Sequence, residues 1–143
     1  MEKQEKVKAL LLDGYKCSQA VLEAFAEDLG LSSDIARKIS LGLAAGSGAG
    51  GECGAVSVAY LVNGMAHGFS HPGDPERFRV VMRKNIEFLE KFKELHGWIN
   101  CHELIGVNIL TEEGKKYVKD NDIQNKICTK LVEDSVQILQ ELI

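Results

Sequence analysis

The chain has 143 residues, a formal charge of −4, 45% apolar residues, two prolines and four cysteines. That length suits one domain, residues 1–143, with its own hydrophobic core. The interspersed charge gives no basic stripe for nucleic acid and no like-charge tail, and no run approaches the ~18–20 apolar residues of a membrane span.

The first segment, Glu2 to Leu12, places Val7, Leu10 and Leu11 on one face of a short amphipathic helix that Gly14 ends. Its apolar run Ala9–Leu12 is too short for a signal-peptide core, so the expected location is the cytoplasm. Reductants there disfavour permanent structural disulfides. Cys17 opens a second helix to about Leu29, with Ala20, Val21, Ala24, Phe25 and Leu29 inside and Gly30 as its stop. Ser32 or Ser33 caps a third helix holding Ile35, Ile39 and Leu43.

The glycine-rich stretch Gly42–Gly54 (GLAAGSGAGGECG) predicts a turn or loop. From Cys53 the sequence AVSVAYLVNGMAHGF predicts a central buried helix, rich in small residues. SHPGDP is a surface turn, and Asp74-Pro75 starts the longest helix, to about His96. Phe78, Met82, Ile86, Leu89, Phe92 (or its neighbour Phe88) and Leu95 repeat there at helical spacing. Asn100 caps a short helix at Cys101-His102-Glu103-Leu104, Thr111–Asn121 is polar and irregular or weakly helical, and a last helix runs from about Asp122 to Leu142. The fold class is all-α, a bundle of about five to seven helices.

The cysteines carry the chemistry. Cys17, Cys53 and Cys101 each begin a helix, where free N–H groups and the macrodipole favour thiolate; Cys128 sits on the apolar face of the last helix. Lys16 is positioned to favour a Cys17 thiolate further. The loop before Cys53 permits close backbone approach to a ligand, a second sulfur or another helix, and equally suits positive φ and tight packing. It lacks the Gly-Lys-Ser/Thr ending of a P-loop. No pair is spaced Cys-x-x-Cys, which weakens zinc-finger and thioredoxin-like readings. Trp98 occupies the position where a c-type heme site needs a cysteine before Cys101-His102. Of His67, His71, His96 and His102, only His102 lies beside a cysteine, as a base or ligand. Glu52 next to Cys53 is a proton acceptor or helix-start acid.

Cys17-Ser18-Gln19-Ala20, Gly51-Glu52-Cys53-Gly54-Ala55-Val56-Ser57, Cys101-His102-Glu103-Leu104-Ile105-Gly106 and a late Cys128 occur in order. This order resembles the C_GCAxxG_C_C family over about residues 14 to 135. The resemblance implies a small helical protein whose four cysteines are suspected of redox or metal chemistry. One departure is Val58, where many members have a small residue.

Three readings follow. In the first, a thiol redox protein, Cys53 is the attacking thiolate, Cys17 or Cys101 resolves it, and an unknown redox partner supplies or takes electrons. In the second, Cys17, Cys53, Cys101 and Cys128 hold zinc or an iron–sulfur cluster. In the third, the helices form a non-catalytic homodimer and the cysteines fill the core.

Overall fold

The computed structural model of the protein describes residues 2–143. It is all-α: α1 (Lys3–Leu12), α2 (Cys17–Leu29), α3 (Ser33–Leu41), α4 (Gly54–His67), α5 (Pro75–His96), α6 (Cys101–Ile105), α7 (Glu112–Asp120) and α8 (Thr129–Leu142). Helix boundaries follow local signals. Ser32 and Asp74 accept the N–H groups of Ile35 and Arg77 as N-caps, and Pro75 fits the first turn, where no intrahelical N–H bond is lost. Gly30, Gly97 and Gly106 end helices in the left-handed conformation. The polar stretch after Thr111 is a full helix, α7, whose start is fixed by the Thr111 hydroxyl accepting the Gly114 N–H.

Helices α2, α4 and α8 pack against one another at the centre. Helix α1 lies against α2 and α8, α3 against α2, and α5 against α4 and α8. The core combines Val7 of α1, Phe25 of α2, Val56 and Val62 of α4, Phe88 and Phe92 of α5, and Val132 and Leu139 of α8. Val58 is fully buried among them. Buried hydroxyls reach carbonyls across helices: Ser18 donates to Ser40 and Ser135 to Ala55, both at 2.7 Å.

Two expected faces differ. On α5 the buried residues are Phe88 and Phe92, stacked at 5.8 Å, whereas Phe78, Met82, Ile86 and Leu95 are exposed. A 22-residue helix carries two apolar stripes, and packing against α4 and α8 selects the one containing the phenylalanine pair. On α3 the buried residues are Ala36 and Ser40, while Ile35 and Ile39 are exposed. Small residues let α3 sit close on α2. Helix α4 is buried along most of its surface, but Leu61 and Met65 reach solvent.

The assignment of the α5 faces is testable by urea unfolding. Phe92→Ala is expected to cost about 3–5 kcal/mol, as a large core truncation does. Leu95→Ala, 59% exposed, is expected to stay within about 0.5 kcal/mol of the parent.

Candidate functional site

Four chain segments bring the four cysteines to one cavity. Cys17 is the first residue of α2, Cys53 precedes α4, and Cys101 is the first residue of α6. Cys128 ends a wide helical turn, Gln124–Cys128, that leads into α8. Such one-turn widenings occur often at functional sites; here the Thr129 hydroxyl donates to the Gln124 carbonyl at 3.1 Å across the turn. Three of the four cysteines therefore sit at helix N-termini, and Cys128 sits within continuous helix where the wide turn passes into α8.

The Cys53–Cys101 side is fixed by backbone. Cys53 N–H donates to Ile99 at 2.7 Å and Cys101 N–H to Gly51 at 2.6 Å. These bonds flank a single antiparallel bridge between Glu52 and Asn100. Neighbouring residues on such a segment point to opposite sides. Cys53 accordingly faces the cavity while Glu52 meets the Tyr60 hydroxyl, whose pKa is raised by burial and by that carboxylate. Glu52 is absent from the cavity lining.

The glycine loop supplies a third wall. Ala45, Gly46, Ser47, Gly48 and Gly50 have φ from 55° to 78°, a left-handed path that the three glycines accept without strain and that Ala45 and Ser47 adopt against the usual preference of residues with a Cβ. Gly50 lies under the His102 ring: a Cβ built there would be 1.6 Å from Nε2. His102 Nε2 also accepts the Ile109 N–H at 3.2 Å. His102 thus clamps the glycine loop to the segment after α6 and does not line the cavity. Gly54 gives the Cys17 sulfur its place, because a Cβ on Gly54 would lie 2.7 Å from Cys17 Sγ and 3.0 Å from the Leu43 carbonyl.

The cavity holds about 240 Å3, with all four cysteines in its lining. Leu104, Ile105, Ile109, Val118, Ile123 and Leu131 make it apolar, and Lys16 is its one charged lining residue. Burial governs the thiols. It pushes Cys101 up to about 11 and Cys128 up to about 12, with the charge of Cys17 adding in each case. Cys53, 5% exposed, is raised further, by burial first and Cys17 next. Cys17 is also raised by burial, but backbone N–H groups of Ala45, Ser18, Gly54 and its own oppose this. The expected low-pKa thiolate at Cys53 is therefore not what the environment favours. Cys53 has one helping amide, from Ala55, against desolvation and three other thiols.

All four cysteines are free thiols in this structure. Among the described residues, no three His, Cys, Asp or Glu side chains lie where they could hold one metal ion. The donor type suits zinc or a cluster, but the side chains as they stand do not form a ligand set.

Helices wrapped round a pocket of four convergent cysteines define a small all-α thiol protein. A family model described as "Putative redox-active protein (C_GCAxxG_C_C)" matches residues 15–142. The chain belongs to this family. No curated protein and no solved structure gives a significant match. No helix among the described residues is long and apolar enough to cross a membrane.

Two outcomes follow from this geometry. Gly54→Ala is expected to cost about 1–3 kcal/mol by overpacking, read by urea unfolding, and to change the rate at which Cys17 is alkylated. The thiol shifts give a pH dependence with a definite sign. An unfolded thiol titrates near ~8.5, below the folded Cys101 at about 11 and Cys128 at about 12. The folded state then holds protons that the unfolded state releases, so this contribution is complete below pH ~8.5 and is lost as pH rises through the folded values. The difference between wild type and Cys128→Ser in unfolding midpoint is expected to shrink as pH rises through that window. A difference that stays flat would show an ordinary Cys128 pKa.

Proposed function

We propose that the protein is a thiol-based redox protein in which Cys17 and Cys53 interconvert between a dithiol and a disulfide. The convergence of four thiols on one cavity carries this reading. Membership of a family named for redox activity supports it.

The attacking sulfur is Cys17, because backbone amides oppose its desolvation and a thiolate is the reactive form. Its co-reactant is a low-molecular-weight disulfide. The Cys17 thiolate attacks one sulfur of that disulfide, forming a mixed disulfide and expelling one thiolate. Cys53 then attacks Cys17 Sγ, forming the Cys17–Cys53 bond and expelling the second. Two electrons pass from the protein to the co-reactant, and the two thiol protons go to the two departing sulfurs. Cys101 and Cys128 complete the cavity and are the competing resolving thiols.

The test uses anaerobically purified protein with bound metal quantified. Hydroxyethyl disulfide is expected to remove two free thiols per chain, and peptide mapping is expected to give Cys17–Cys53. Cys17→Ser should abolish that bond, while Cys128→Ser should leave it intact. Stoichiometric zinc or iron protecting all four thiols would replace this reading with the metal one. Absence of both metal and selective oxidation would leave the cysteines as core residues.

A further inference from the structure

We infer that the oxidant reduced at this pocket is a small neutral disulfide with apolar arms, an alkyl disulfide, bound inside the four-cysteine cavity. The inference rests on the dithiol–disulfide reading above and adds the chemical class of the co-reactant. Size sets the first limit. An apolar cavity of about 150 Å3 holds benzene. At the same ratio the 240 Å3 here holds a molecule of roughly ten non-hydrogen atoms, the size of a disulfide with short alkyl arms. A peptide disulfide is too large for it.

Polarity sets the second limit. Apart from the thiols, the lining has two polar side chains, Lys16 and Gln124, and is otherwise aliphatic or glycine. Hydroxyl, carboxylate or amide groups on the arms would lose water with few partners to replace it. Access gives a direction. The lining residues exposed to solvent are Lys16 and Ala45. Lys16 precedes Cys17 in the chain, and the Ala45 N–H approaches the Cys17 sulfur. The mouth therefore opens beside Cys17, whereas Cys53, Ile105, Ile123 and Leu131 are buried. A disulfide that enters here meets Cys17 first and has Cys53 and the aliphatic wall ahead of it. The Cys17 thiolate attacks one sulfur of R–S–S–R and expels the first R–S, and Cys53 then displaces the second. One S–S bond breaks and another forms, two electrons pass to the co-reactant, and the two cysteine protons leave on two molecules of R–SH. Reactants and products are all neutral, which suits apolar walls.

Di-n-propyl disulfide and hydroxyethyl disulfide differ only in a methyl for a hydroxyl at each end, so the pair tests polarity at constant size. The rate of Cys17–Cys53 bond formation is measured with each, in the anaerobically purified full-length protein with bound metal quantified. Each rate is divided by that reagent's rate with N-acetylcysteine, which removes differences in leaving group. Dipropyl disulfide is expected to be at least about tenfold faster on this scale, the effect of one unpaired hydroxyl. Val118→Asp sets a carboxylate in the wall on α7, where Gly114 is the one buried residue. It should cut the preference at least about threefold with an unchanged helical circular dichroism spectrum. Equal normalised rates, or a preference that survives Val118→Asp, would overturn the inference and leave the redox reading in place. A Cys17–Cys53 bond formed with neither reagent would overturn that reading and this inference with it.

Discussion

The site depends on two backbone hydrogen bonds, from Cys53 to Ile99 and from Cys101 to Gly51. They join segments that lie 48 positions apart at the Glu52–Asn100 bridge. Without them, α4 and α6 would begin independently and two sulfurs would have no common reference. With them, the same residues that end an extended segment also start two helices, so both thiols are aimed by backbone. The bridge also sorts side chains by its period of two, keeping the Glu52 carboxylate out of the apolar cavity. The glycine loop is the counterpart on the other wall. Its left-handed run brings Gly50 under His102 and leaves Gly54 without a Cβ where the Cys17 sulfur lies.

A helix N-terminus and burial pull a thiol in opposite directions, and the magnitudes decide. A terminus is worth about 0.3–1 kcal/mol to a nearby negative charge, less than one pH unit of displacement. Burial and neighbouring charge carry Cys128 well above an ordinary thiol, to about 12. Desolvation therefore wins at all four cysteines. At Cys17 it is opposed by several amides at once: that of Ala45 from the loop, its successor's, its own and that of Gly54 from α4. The number of N–H groups that reach a sulfur differs from cysteine to cysteine in this pocket, and helix starts alone do not provide them.

Much of this was legible in the sequence because its signals are local. Gly14, Gly30 and Gly97 punctuate helices, and Cys17, Cys53 and Cys101 follow turns, so three helix starts could be read from neighbouring residues. The missing information was non-local. No pattern in Glu52 or Asn100 announces their pairing, and the packing of His102 on Gly50 links residues 52 apart. The buried stripe of α5 was ambiguous for a related reason. Phe78, Met82 and Ile86 keep helical period as well as Phe88 and Phe92 do, and only packing against α4 and α8 distinguishes them. Cys128 looked like core because it continues an apolar helical face; the widened turn before α8 is what carries it to the cavity.

Charge bookkeeping in the cavity separates the chemistries that four cysteines permit. Two neutral thiols becoming a disulfide leave a buried site neutral at both ends of the reaction. Four thiolates around a divalent ion leave a net charge of −2, and the lining offers one cation, Lys16, to offset it. Burying charge without a partner is costly. The apolar walls that raise the thiol pKa values therefore favour neutral sulfur over anionic sulfur. Backbone amides from three segments converge on one sulfur, that of Cys17, and oppose this preference there.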